Sequence, residues 1–158
     1  MRHVAPLTLA IATLASGCMA PGAGVEEVSP LALQQEKPQL ALLDHILGEY
    51  FSADLAAPLT VCAAMSDGRS AEALPPMDEV ALMARFEQLA PMARCTQDGA
   101  GWKDADTGEP ALLFEIRSLS CASAALCSAT AGYTAGPQAS EYRQYRMTFD
   151  RRWIVSEG

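Results

Sequence analysis

Leu40, Leu43 and Leu47, followed by Tyr50 and Phe51, recur at the i, i+3, i+4, i+7 spacing of a helix with one buried face. Pro38 suits the first turn of such a helix, where the N–H it lacks would have had no partner. The pattern therefore predicts a helix over Pro38–Ser52. Pro58 closes that region. The short apolar run from Thr60 to Met65, bounded by Ser66, Asp67 and Gly68, predicts a strand. Pro75 and Pro76 then precede a second helix, expected over residues 78–90, with Asp78 and Glu79 at its positive N-terminal end. Its expected buried stripe is Val80, Leu82, Met83, Phe86 and Leu89 or Ala90, and Pro91 stops it shortly before Cys95.

After Cys95 the period changes from helical to hairpin. Trp102 begins a strand, and Asp106, Thr107, Gly108 and Glu109 have turn chemistry. Leu112, Phe114 and Ile116 alternate with Glu115 and Arg117, the pattern of a half-buried strand. Cys127, Ala129, Ala131 and Tyr133 form the apolar face of the next one. Residues 141–149 make another, and Asp150 and Arg151 turn the chain into Trp153, Ile154 and Val155. Two helices followed by an antiparallel meander give an α+β fold, with both helices packed on one face of an antiparallel sheet. No internal repeat interrupts it, so residues 38–158 read as a single α+β domain.

The N-terminal segment has a different texture. Met1, Arg2 and His3 form a positive tip, an apolar run follows from Val4 to Leu14, and Ala15, Ser16 and Gly17 precede Cys18. This is the layout of a secretory signal peptide over residues 1–17. Its apolar run is about 11 residues, against the roughly 20 that a helix needs to cross a bilayer. Residues 18–37 are rich in proline and glycine and then acidic, which reads as a flexible tether. The junction from Leu14 to Cys18 resembles the lipobox of bacterial lipoproteins, whose cysteine is acylated and becomes the mature N-terminus. That resemblance implies lipidation of Cys18, with the membrane as partner through the N-terminal lipid. It also implies a cell-envelope address facing the periplasm; Met19 is not the Asp that favours inner-membrane retention, so the outer membrane is expected. Ala15 and Gly17 also satisfy an ordinary signal peptidase cutting before the same residue, and the product would then be soluble in the periplasm.

Five cysteines in an oxidising compartment leave one unpaired, and consuming Cys18 as a thioether leaves four that can pair. Cys62 in the first strand and Cys95 just after the second helix would clamp that helix to the sheet. Cys121 and Cys127 flank a loop short enough to set them opposite each other across a hairpin. The expected disulfides are therefore Cys62–Cys95 and Cys121–Cys127.

The net charge of −8 argues against a nucleic-acid partner, because phosphate binding depends on Lys and Arg displacing counterions. Half the residues are apolar, as in globular chains. A Thr-Val-Cys strand, a Cys after the second helix, the Thr107-Gly-Glu-Pro-Ala turn, a Tyr strand and a terminal Arg-Trp-Ile-Val strand together resemble small exported bacterial proteins of cystatin-like or NTF2-like architecture. The resemblance covers about Leu40 to Val155 and implies a fold; its motifs assign no functional residue.

Candidate chemistry is sparse. His45, between Asp44 and Ile46 with Glu49 one turn on, could act as a base with an orienting carboxylate or as half of a metal site, and its plainer reading is a partly exposed i, i+4 pair. No catalytic residue beyond these three weak candidates stands out. Asp104, Asp106, Gly108 and Glu115 superficially resemble a calcium loop, but the glycine that makes the bend is missing at the sixth position, where Glu109 stands. They read instead as a solvated turn. No metal and no cofactor is expected. The thiols have no neighbouring His to activate them, so they read as disulfides rather than nucleophiles. Arg143, Arg146, Arg151 and Arg152 read as the wet face of an edge strand. The expected function is a non-enzymatic binding or scaffolding module of the envelope, with an envelope protein as its potential partner. A small hydrolase or isomerase with an NTF2-like pocket, and an acidic inhibitor of a cationic hydrolase, are the alternatives.

Overall fold

The computed structural model describes residues 37–53 and 59–158. The signal and Cys18, the tether up to residue 36, and Pro58 lie outside them. Within them the chain is α+β, with two helices and a mostly antiparallel sheet. The elements in order are α1 (Pro38–Ser52), β1 (Thr60–Ser66), β2 (Ala71–Ala73), α2 (Pro76–Arg85), β3 (Cys95–Asp98), β4 (Gly101–Asp104), β5 (Ala111–Ser123), β6 (Leu126–Gly136), β7 (Ala139–Asp150) and β8 (Arg152–Glu157), with a 3-10 turn at Met92–Arg94. Among the described residues no helix is long and apolar enough to cross a membrane.

Helix α1 has the predicted bounds, with Pro38 in its first turn. It buries Leu42 and Ile46 as well as Leu40, Leu43 and Leu47, so its apolar face is wider than the predicted stripe. These side chains pack on Leu112, Phe114 and Ile116 of β5, on Ala129 and Ala131 of β6, and on Tyr145 and Met147 of β7. Transferring a leucine of this kind from water stabilises the fold by about 2 kcal/mol.

Helix α2 is shorter than expected. It stops at Arg85 because Phe86 adopts extended backbone angles and turns its ring onto Phe51 of α1, with the two centroids 5.4 Å apart. Leu89 then bridges to Val61 of β1, and the Ala90 N–H donates to the Val61 carbonyl at 2.8 Å. Burial of Phe86 and Leu89 against the sheet outweighs another turn of helix. The buried stripe moves accordingly: Asp78, Ala81 and Leu82 are inside, Met83 is half-buried, and Val80 is 56% exposed.

The main sheet has the order β2-β1-β5-β6-β7-β8. Every neighbouring pair is antiparallel except β1 and β5, which run parallel with Cys62 opposite Leu113. The sheet is thus mixed, because α2 and the small β3–β4 hairpin form a crossover between those two strands. That hairpin covers one end of the face opposite α1, where Cys62, Ala64, Cys95, Trp102, Ala111 and Leu113 make a second, smaller core. Consequently β5 is buried on both faces from Ala111 to Ile116, and Glu115, expected on a solvated face, is only 4% exposed. The Cys62–Cys95 disulfide ties the hairpin to the sheet, and Cys121–Cys127 joins β5 to β6.

Candidate functional site

A cleft of about 200 Å³ lies between the second half of α1 and the sheet. Ile46, Glu49 and Tyr50 reach it because i, i+3 and i+4 share one strip of a helix. Glu141, Arg143 and Tyr145 reach it because alternate residues of β7 share one face. Phe114 of β5 and Tyr133 of β6 complete the wall. On β6, Ala129 and Ala131, opposite Tyr145 and Arg143, are packed in the core, and Gly132 and Tyr133 are what that strand contributes to the cleft. Gly132, beside them, lets β6 and β7 come together: a Cβ there would sit 1.9 Å from the Glu141 carbonyl oxygen.

The floor is aromatic. Tyr50 and Phe114 have ring centroids 5.1 Å apart, and Phe114 and Tyr133 are at 5.5 Å. Carboxylates stand at the rim. The Tyr133 hydroxyl donates to Glu141 Oε2 at 3.1 Å, and Arg143 Nε donates to Glu141 Oε1 at 2.9 Å. A second guanidinium nitrogen of Arg143 pairs with Glu157, so one cation is held between two anions. Arg143, and secondarily Tyr133, keep the Glu141 carboxyl below its usual range. Burial pushes the hydroxyls of Tyr50, Tyr133 and Tyr145 up, with neighbouring Glu141 and Glu49 adding to it for the last two, so all three stay protonated at neutral pH. The cleft therefore offers ring faces, neutral hydroxyls and an excess of negative charge.

The three weak catalytic candidates do not converge there. Glu49 lines the cleft, whereas His45 does not. His45 Nε2 lies 3.4 Å from Glu49 Oε1, and its ring meets Tyr145 edge-on at 6.0 Å. Asp44 instead faces Arg85 at 3.5 Å; burial raises its carboxyl more than Arg85 and His45 lower it. All four described cysteines are in disulfides, so no thiol is available in this region.

The other residues singled out by sequence go to different places. Asp104 is not on a solvated turn. It is 1% exposed and accepts from the Thr60 hydroxyl at 2.6 Å, from Arg94, and from the Asp106 N–H at 2.9 Å. Those donors, the Thr60 hydroxyl foremost, bring its carboxyl down to about 2. Glu115 is held by Arg117 and Tyr142 instead. Among the described residues no group of three His, Cys, Asp or Glu side chains is arranged to hold a metal. The four C-terminal arginines do not form one edge-strand face: β7 lies inside the sheet, Arg143 is on the α1 side, Arg146 is on the other, and Arg151 sits in the β7–β8 turn with φ of 62°.

Tyr50, Tyr133, Glu141 and Arg143 were not read as one site from sequence. The period-2 spacing of Glu141, Arg143 and Tyr145 was the available signal. No protein-family model matches this chain, and neither a curated protein nor a solved structure was found similar to it.

Proposed function

We propose that this chain is a non-enzymatic binding module of the cell envelope, held at the membrane through lipid on Cys18, and that it takes its ligand in the cleft between α1 and the sheet. The observation that carries this reading is the aromatic floor under an acidic rim. Rings within about 6 Å of a cation attract it, and a nearby carboxylate adds to the attraction. A primary amine or guanidinium on an apolar stem is the matching chemistry, as a small ligand or as a basic side chain of an envelope protein. The placement of α1 across the sheet with a cleft between them supports the cystatin-like or NTF2-like likeness as part of the same proposal.

The test is an NMR titration with tetramethylammonium and with butylamine, using butanol as the neutral control. The cations should shift the amides of Tyr50, Phe114, Tyr133 and Glu141 saturably, and Glu49→Gln with Glu141→Gln should weaken that binding at least fivefold. Equal binding of butanol would overturn the cationic ligand class, and no saturable shift at the cleft would overturn the site. The enzyme alternative keeps one foothold, the His45–Glu49 pair, of which Glu49 lines the cleft. A general base contributes typically a hundredfold or more, so His45→Ala should leave binding and any turnover within severalfold, and a hundredfold loss without unfolding would favour the enzyme.

A further inference from the structure

The opposite face of the sheet carries a second, polar cleft of about 330 Å³, between the β1–β2 turn, the β3–β4 hairpin and the β6–β7 end. We propose that it is a binding site for a small oxyanion, a carboxylate or a phosphate group, and that Arg117 is the residue that grips it.

Arg117 is held on two sides. Its Nε donates to Glu115 Oε1 at 2.9 Å, and its guanidinium carbon lies 3.5 Å from the centroid of the Tyr142 ring. The Tyr142 hydroxyl donates to the same Glu115 oxygen at 2.6 Å. Glu115 is itself almost wholly buried, in the same lining as Trp102, so the carboxylate is fixed, and it fixes both the cation and the ring. Glu115 and Tyr142 sit in one row because Glu115 is opposite Gly132 and Gly132 is opposite Tyr142, and Arg117 follows two residues after Glu115, at the register shift between Ile116 and Ser118. Gly132 has no side chain to separate them, so Tyr142 can reach across the middle strand.

This arrangement occupies one of the five N–H groups of the guanidinium. The remaining four are on the two terminal nitrogens, which find no acceptor among the described residues, and Arg117 lines the cleft. A guanidinium whose plane is already set presents a fork suited to two oxygens of one anion, and it loses little freedom on binding. Arg69 lines the same cleft from the β1–β2 turn, and no carboxylate among the described residues pairs with its side chain. Ser140 and Gln97 add neutral polar groups. The only carboxylate in the lining is Glu115, which Arg117 already neutralises, so the cleft is locally positive on a chain whose net charge is −8. An acidic surface that repels anions elsewhere directs them here.

The decisive experiment is an NMR titration of the exported chain with inorganic phosphate and with succinate, each matched by sodium chloride at equal ionic strength. Saturable shifts of the Arg69, Ser70, Arg117 and Ser140 amides beyond the chloride control are expected, and whichever anion saturates at the lower concentration identifies the source. Arg117→Lys keeps the charge but loses the fork and the stacking, and should weaken binding at least tenfold. Should that variant misfold, Arg69→Gln on the exposed turn should still weaken it about threefold. Shifts equal to those with chloride, saturation at residues elsewhere, or undiminished affinity in both variants would overturn the proposal. Because this cleft and the α1 cleft lie on opposite faces, the result does not depend on the cation titration.

Discussion

Removing the Cys62–Cys95 disulfide should destabilise the domain more than removing Cys121–Cys127. The first bond closes a loop of 33 residues and the second a loop of 6. The loop-entropy relation assigns about 4 kcal/mol to the former and about 2 kcal/mol to the latter. Local structure widens the gap. Cys121 and Cys127 are already opposite each other in the β5–β6 ladder, so that bond joins positions the sheet hydrogen bonds hold together. Cys62 and Cys95 are both buried among Trp102, Ala111 and Leu113, and their bond holds the β3–β4 hairpin over the second core. Replacing both by alanine loses packing there as well as the cross-link.

For a domain of this size a loss of 1 kcal/mol lowers Tm by about 4 °C, so the expected drops are about 15 °C and about 8 °C. A total stability of about 5 to 15 kcal/mol leaves little margin after the first loss. The measurement is thermal unfolding followed by circular dichroism on Cys62→Ala/Cys95→Ala and on Cys121→Ala/Cys127→Ala. Limited proteolysis should cut the first variant within residues 95–104 and leave the second intact there. If the second variant melts at or below the first, the reasoning from loop length and burial fails.

Four further outcomes are expected. The Thr60→Val variant should raise the Asp104 titration from about 2 toward the ordinary 3.8, since the lost hydroxyl is the largest cause of the depression; carboxyl carbon NMR reads this directly, and an unmoved titration would assign the effect elsewhere. The depressed carboxyl contributes stability that is present above about 3.8 and lost as the pH falls toward 2, so Asp104→Asn should flatten unfolding free energy against pH in that window. Gly132→Ala should cost about 1 to 3 kcal/mol in urea unfolding because its Cβ meets backbone rather than a movable side chain, and a neutral result would mean that β6 and β7 part easily. Labelled palmitate should enter the wild-type chain and not Cys18→Ser in a bacterial host, and equal labelling of both would remove the membrane anchor from the proposal.

What could be read from sequence depended on how local the deciding interaction is. Helix α1 was legible to its ends because five apolar side chains repeat along it and Pro38 marks its start. Helix α2 was not, because its end is decided by Phe86 meeting Phe51, a contact between two helices. The uninterrupted run Val61, Cys62, Ala63, Ala64 did carry a sign of a strand covered on both faces, as parallel strands are, although its partner β5 lies some fifty residues on. The disulfides join the cysteines that the spacing paired, since that pairing needed only the order of the strands and helices.

Buried charge was the least legible feature. Asp104 finds Thr60 at a separation of 44 residues and Glu115 finds Tyr142 at 27, so neither partner is visible in the turn or strand that contains the carboxylate. The clefts were hidden for a related reason, since a hollow is defined by what its neighbours lack. Gly132 taken alone is a weak strand position. Only when β7 pairs with it does it line the α1 cleft on one side and, on the other, leave the gap through which Tyr142 reaches Glu115. A single glycine thus shapes both candidate sites. Gly132→Ala should accordingly disturb cation binding on one face and anion binding on the other, whereas Arg117→Lys should disturb only the second. Loss of just one activity in Gly132→Ala would show that the two faces are shaped independently.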